Sequence, residues 1–285
     1  LWARNQAWRT RKQKPRQLLP YTWSMTPRGK TWTRLRRLLV TGFVVLSIYW
    51  TALFFCQRLL IFPRDAANSR MVAGQVGQPN RTGLERFWLD TEDGRTECWL
   101  QLADGASEDS PAGLVLFAHG NAELIDGQAW VFAGFRKLGY SVAMCEYRGY
   151  GRSDGSPSQA DITKDQQAML TALLARPEVD RERVIFFGRS IGTGVACALA
   201  QEHAPAAILL LSPFRSLRSM ARGFFAPEFL VRDPFDNQAF LGQYPGPVLL
   251  MHGTSDQVIP IEHSKSLEKV AANATLRSFD CGHNN

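Results

Sequence analysis

The chain has 285 residues, of which 45% are hydrophobic and 21% charged, proportions that allow a sizeable core and exclude a disordered or fibrous sequence. The formal net charge of +7 is unevenly spread: residues 1–37 carry eleven Lys or Arg and no acid, leaving 22 basic against 26 acidic residues beyond them. The folded part is therefore mildly acidic, which argues against a nucleic-acid-binding face.

Residues 1–24 are an unpatterned mixture rich in Trp and Arg, whereas Met25 begins a short basic stretch that leads into an apolar one. The first 24 residues are expected to stay outside the fold, as a cytoplasmic tail or as a segment foreign to the native protein. Leu38 to Cys56 then runs nineteen residues without a charge. A helix of that length spans roughly 28 Å at about 1.5 Å per residue, close to the thickness of a bilayer's hydrocarbon core. Tyr49, Trp50, Phe54 and Phe55 gather at its far end, as an aromatic belt does, and Arg34, Arg36 and Arg37 stand just before it. That bias puts the N-terminus in the cytoplasm and the rest of the chain on the other side. A cleaved signal would have a shorter apolar run and small residues at a cleavage site, but "LFFCQRLLIFPR" is bulky throughout. A core helix would show a polar stripe. The reading is an uncleaved, single-pass signal-anchor helix over residues 38–56, followed by a linker over 57–84 without periodicity.

Short strands are predicted at Glu85–Leu89 and Thr96–Leu102, joined as a hairpin by Asp93-Gly94. Beyond Pro111, apolar runs alternate with helix-length segments such as Asp161–Ala175 and Ile191–Glu202. The runs are Leu114–Gly120, Tyr140–Tyr147, Arg183–Gly188, Ala206–Ser212, Pro247–Gly253 and Thr275–Gly282. Strands without polar alternation are buried on both faces, which means a mostly parallel, doubly wound sheet wrapped by helices. Residues 85–285 form that α/β domain. Within it, Phe214 to Tyr244 has no strand pattern and reads as a short cap over the carboxyl ends of the strands, where such sheets bind ligands. The five cysteines, Cys56, Cys98, Cys145, Cys197 and Cys281, match no zinc spacing and read as structural or incidental. Nothing in the chain points to a metal or organic cofactor.

The stretch "VIFFGRSIGTG", Val184 to Gly194, carries the chemistry. In Gly188-Arg189-Ser190-Ile191-Gly192 a buried strand turns into a helix so sharply that the serine is strained and its hydroxyl is presented above the sheet. Such a hydroxyl needs a base, and the base needs an orienting acid. Of five histidines, His119 and His252 end apolar strands as turn residues, while His203 and His263 lie among polar neighbours on helices and read as surface. His283, in a Gly-flanked loop after the last strand, can reach Ser190. Asp256 follows the strand ending at His252 and is preferred as the acid to Asp280, which would face away. Backbone N–H groups of Ile191, just after the serine, and of Asn121, after "LFAHG", are candidates for an oxyanion hole.

From about Leu59 onward the chain resembles the α/β-hydrolase superfamily, and more narrowly the BEM46-like group of membrane-anchored serine hydrolases and its bacterial relatives. The stretches that carry the resemblance are "QRLLIFP", "FAHGNA", "EYRGYGRSDGSPS", "GRSIGTGVA", "SPFRSL", "HGTSDQVIP" and "CGHN". The resemblance implies the α/β-hydrolase fold and a nucleophile, acid and base at Ser190, Asp256 and His283. It also implies a serine hydrolase of small-molecule or acyl-chain esters or thioesters, held at a membrane by its N-terminal helix. Relatives continue into a closing helix, so the domain is expected to be cut short two residues after His283. An acyltransferase or peptidase could use the same three residues. A non-catalytic scaffold would usually have lost one of them.

Overall fold

The structure is a computed structural model in which residues 28–72 and 83–285 are described. The readings for residues 1–24, for the rest of the basic tail up to residue 27, and for residues 73–82 of the linker lie outside them. Two units are distinct, Leu1–Ile48 and Tyr49–Asn285. The apolar stretch belongs to a longer helix than expected, α1 (Arg28–Ile61). Nothing between Arg28 and Ile61 breaks a helix until Pro63, which cannot continue one. In the first unit, the described side chains from Thr31 to Leu46 are all exposed, apolar ones included. By length and composition the helix can cross a membrane.

The second unit begins with the last turns of α1 and differs there from the expected linker. Residues 57–61 continue the helix, and Arg64–Val72 forms α2. Phe62 and Ala67 are buried, and Met71 packs on the same cluster. One apolar side chain per turn is too sparse a signal for periodicity, so packing rather than pattern makes α2. Two of the aromatics read as a membrane belt have polar partners here. Tyr49 Oη donates to the carbonyl of Phe224 (2.7 Å) and Trp50 Nε1 to that of Phe225 (3.0 Å).

Eight strands follow: β1 (Leu84–Thr91), β2 (Gly94–Gln101), β3 (Ala112–Ala118), β4 (Tyr140–Cys145), β5 (Val179–Arg189), β6 (Ala207–Leu211), β7 (Val248–Gly253) and β8 (Ala274–Phe279). They make one sheet in the order β1-β2-β4-β3-β5-β6-β7-β8. The predicted hairpin is present, its second strand pairs antiparallel with β4, and all other pairs are parallel. Alternate residues divide between two cores. Leu114, Leu116, Phe186, Ile208, Leu210 and Leu250 pack against α4 (Gln159–Leu174), α5 (Ile191–Glu202) and α8 (Glu262–Val270). Val115, Phe117, Val142, Met144 and Phe187 face the other way, towards α3 (Ala129–Lys137). The segment from Phe214 to Tyr244 contains no strand, only α6 (Leu217–Ala221), α7 (Asn237–Leu241) and two 3₁₀ turns between them.

Cys98 and Cys145 have a structural role whose pairing their spacing did not show. They sit directly opposite on β2 and β4, 4.1 Å apart at Cα, and are joined as a disulfide. Cys197 is buried and free.

The loop after β4 is held by a buried ion pair. Arg148, 1% exposed, donates from Nε and Nη2 to both carboxylate oxygens of Asp165 on α4 (2.8 and 2.9 Å). Its guanidinium also reaches Asp93 in the hairpin turn at 3.1 Å. Replacing Arg148 by Met leaves Asp165 buried without a counter-charge, an arrangement that costs about 3–5 kcal/mol. Arg148→Met should therefore lower the melting temperature by several degrees. Adding Asp165→Leu should recover part of the loss, because the uncompensated charge is then gone. Thermal unfolding of the two variants beside the wild type checks this.

Candidate active site

β5 delivers Ser190 to the centre of the sheet's carboxyl edge, and α5 begins at the next residue. The turn is as tight as the sequence suggested. Ser190 has φ 52° and ψ −118°, a backbone region that costs a residue with a side chain about 1–3 kcal/mol. The two glycines are required by close approach. A Cβ on Gly188 would lie 2.3 Å from the carbonyl oxygen of Gly192, and one on Gly192 would lie 2.1 Å from that of Ala118 on β3. Ser190 is held by its N–H to the carbonyl of Leu211 (2.8 Å), while its own carbonyl accepts from the N–H (3.0 Å) and hydroxyl (2.6 Å) of Thr193. Thr193 in turn accepts from Asn237 in the cap segment (3.1 Å).

The three residues proposed for chemistry come together from separate strand ends. His283 Nε2 lies 3.1 Å from Ser190 Oγ, and its Nδ1 lies 2.7 Å from Asp256 Oδ2. Asp256 follows β7, and His283 lies in the loop beyond β8. The other oxygen of Asp256 accepts from the N–H groups of Val258 (2.9 Å) and Ile259 (2.8 Å). Burial pushes this carboxyl upward, but the hydrogen bonds from Ile259, His283 and Val258 together outweigh it and hold the group below its ordinary value.

Among the described residues, none of the rivals is hydrogen-bonded to Ser190. His119 is fully buried, stacked on Tyr147, with Nε2 2.7 Å from Glu146. His252 is fully buried as well, bonded to Ser264 through Nδ1 (2.6 Å) and to the carbonyl of Ile259 through Nε2 (2.7 Å). It is more than a turn residue, since it fixes the loop that carries Asp256. His203 and His263 are half-buried rather than on the surface: His203 packs on Phe186, and His263 accepts from the N–H of Arg215. Asp280 is exposed.

Asn121 and Ile191 line one cavity with Ser190, of about 250 Å³ and otherwise almost wholly apolar. The first N–H groups of a helix have no intrahelical partner, so the Ile191 N–H at the start of α5 is not spent within the helix. The Asn121 loop is fixed by a side chain the sequence did not single out. Glu123 accepts from the N–H of Gly120 (2.7 Å) with one oxygen and pairs with Arg189 through the other. Arg189 also donates to the carbonyl of His283 (3.3 Å) and to Asn284 Oδ1 (3.1 Å). One guanidinium thus links the loops of Asn121, Ser190 and His283. In the sequence Arg189 is only the variable position of a glycine-serine motif, and nothing pairs it with Glu123. The cavity's wall from α1, including Leu53, Phe54 and Gln57, was equally invisible, because an apolar run reads as membrane. Among the described residues no group of three His, Cys, Asp or Glu side chains is placed to hold a metal ion.

Two outcomes follow from this geometry. Ser190→Gly and Ser190→Ala remove the same hydroxyl, but only glycine adopts the turn without strain. The Gly variant should melt a few degrees above the Ala variant, which differential scanning calorimetry would resolve. Asp256→Asn keeps the acceptor for the Val258 and Ile259 N–H groups and removes the charge. A lowered carboxylate pKa contributes stability that is complete above the unfolded value, about 3.9, and is lost as pH falls through the lower folded one. The gap in stability between wild type and Asp256→Asn should therefore narrow as pH falls from about 5 towards 3. Melting curves taken across that range check this.

Residues 109–232 match the Hydrolase_4 family, described as serine aminopeptidase, S33. The chain is 30% identical over 249 residues to the uncharacterized protein Rv2307c of Mycobacterium tuberculosis, covering 84% of each. It is 32% identical over 217 residues to the alpha/beta hydrolase domain-containing protein WAV2 of Arabidopsis thaliana, covering 68% of this chain and 69% of that one. Among solved structures it resembles Est1E from Butyrivibrio proteoclasticus with ferulic acid bound, at a TM-score of 0.59 and 17% identity. That match covers 69% of this chain and 90% of Est1E, and at such low identity it speaks for the fold.

Proposed function

The chain belongs to the α/β-hydrolase superfamily, and on that footing we propose that it is a membrane-anchored serine hydrolase, of the BEM46-like kind, that cleaves carboxylic esters or thioesters. The observation that carries this reading is the unbroken hydrogen-bonded row from Asp256 through His283 to Ser190. Ser190 Oγ attacks the acyl carbon while His283 Nε2 takes its proton. Asp256 holds the Nδ1–H and stabilises the imidazolium that forms. The tetrahedral oxygen faces the N–H groups of Ile191 and Asn121. His283 then passes its proton to the leaving alcohol or thiol, and the acyl group remains on Ser190. Water, deprotonated by the same imidazole, releases the acid and restores the hydroxyl.

The family's description as serine aminopeptidase favours a second reading, a peptidase acting at a free N-terminus. The cavity speaks for the first. Among the described residues its polar lining side chains are Gln57, Asn121 and Ser190, and no carboxylate of theirs lines it to hold an ammonium group. For location, the proposal is that α1 crosses the membrane with the N-terminus in the cytoplasm, as the preceding arginines favour.

Ser190→Ala should abolish both ester hydrolysis and labelling by a fluorophosphonate probe. A loss on the order of 10⁶ in kcat is typical for a nucleophile of this kind. Assay of the wild type and the variant purified side by side tests it, and activity retained at more than a few per cent would refute the assignment.

A further inference from the structure

The cavity beside Ser190 has two walls of different origin. One comes from the cap and the sheet edge, with Phe214, Leu217, Met220 and Leu230. The other is α1: Leu53, Phe54, Gln57, Leu60 and Ile61 line the same space, all within the compact unit that begins at Tyr49. Their spacing is helical, and the half-buried positions of this stretch, 50, 53, 54, 57, 58 and 61, fall on a single stripe. The intervening Phe55 and Leu59 are 70% and 62% exposed. The stripe also binds the cap. Gln57 donates from Nε2 to the carbonyl of Leu230 (3.0 Å) and accepts from the N–H of Arg232 at Oε1 (2.9 Å). Arg58 makes two hydrogen bonds to the buried carboxylate of Asp233 (2.8 and 3.1 Å). The polar atoms of Gln57 are therefore occupied, and what α1 presents to the cavity is chiefly hydrocarbon. At the mouth, Leu60, Phe224 and Val258 are each more than half exposed.

We infer that the cavity between α1 and the cap receives the aliphatic acyl chain of the substrate, with Leu53 and Phe54 of α1 as the side chains that set which chain lengths are accepted. This rests on the proposed serine hydrolase chemistry, because it assumes that the acyl carbon sits at Ser190. A cavity lined mostly by apolar side chains, with Gln57 spent on the cap backbone and few other polar groups beside Ser190, suits an aliphatic chain. An added or missing methylene contact in such a pocket changes specificity by roughly 10- to 200-fold. The wall touches the chain and not the leaving group, so the same selection applies to a glyceride and to an acylated thiol.

The test uses the full chain in detergent, with p-nitrophenyl acetate and octanoate as substrates. The wild type should prefer octanoate in kcat/KM. Leu53→Trp, which fills the cavity, should lower the octanoate-to-acetate ratio in kcat/KM by about tenfold or more. Leu53→Ala, which cannot clash, should move the preference towards longer chains, read with the decanoate and laurate esters. Phe55→Trp, on the outward face of the same helix, should leave the profile unchanged. Octanoyl glycerol and an octanoylated cysteine peptide should show the same Leu53→Trp effect, and the faster of the two identifies the source of the chain. Unchanged ratios in both Leu53 variants, a wild type indifferent to chain length, or an effect confined to one leaving group would overturn the inference. Failure of the wild type to hydrolyse acetate or to take up a fluorophosphonate would instead defeat the hydrolase reading beneath it.

Discussion

Everything at the site depends on how closely three pieces of backbone approach one another at Gly188, Gly192 and Ala118. β5 must enter α5 within one residue, and α5 must then pass against the end of β3 with no side chain between them. This contact puts Ser190 into a conformation that a residue with a side chain rarely adopts. The strain is maintained by a sheet buried on both faces and by the hydrogen bonds that Leu211 and Thr193 make to the serine backbone. A looser turn would let the serine relax and take its hydroxyl away from the imidazole.

Around that fixed point the remaining groups are arranged by polar side chains rather than by packing. His252 ties down the loop of Asp256, Glu123 the loop of Asn121, and Arg189 joins the latter to the chain at His283. These groups share a common logic. Each loop leaves the carboxyl end of a strand where the apolar core stops, so its position has to be specified by directional bonds. Apolar contacts take over again above Ser190, where Phe214 and Phe235 join Phe62 and Ile191 in a separate cluster.

Much of this was legible in the sequence because its signals were local. Continuous apolar runs gave the parallel strands to within a few residues, and Ile191–Glu202 coincides with α5. The serine motif announced itself because its glycines answer a steric need that no other residue meets. What escaped was long-range. α2 is made by the burial of Phe62 and Ala67 against partners far along the chain, and no window of sequence around them is periodic. The pairing of Glu123 with Arg189 spans 66 residues, and that of Cys98 with Cys145 spans 47. The pocket-facing side of α1 escaped for a different reason. A lipid-facing surface and a pocket-facing surface are both hydrocarbon, so composition alone cannot tell one from the other.

Tyr49, Trp50, Gln57 and Arg58 of α1 all reach backbone or carboxylate groups of the segment from Phe224 to Asp233. Under the proposed membrane crossing of α1, its last three turns answer to two selections at once. Substitutions that would suit them to a thicker or thinner bilayer also alter how the segment from Phe224 to Asp233 is seated, and substitutions that reseat that segment alter how the helix ends. These turns belong to the compact unit that begins at Tyr49, so their residues cannot be varied for one purpose alone.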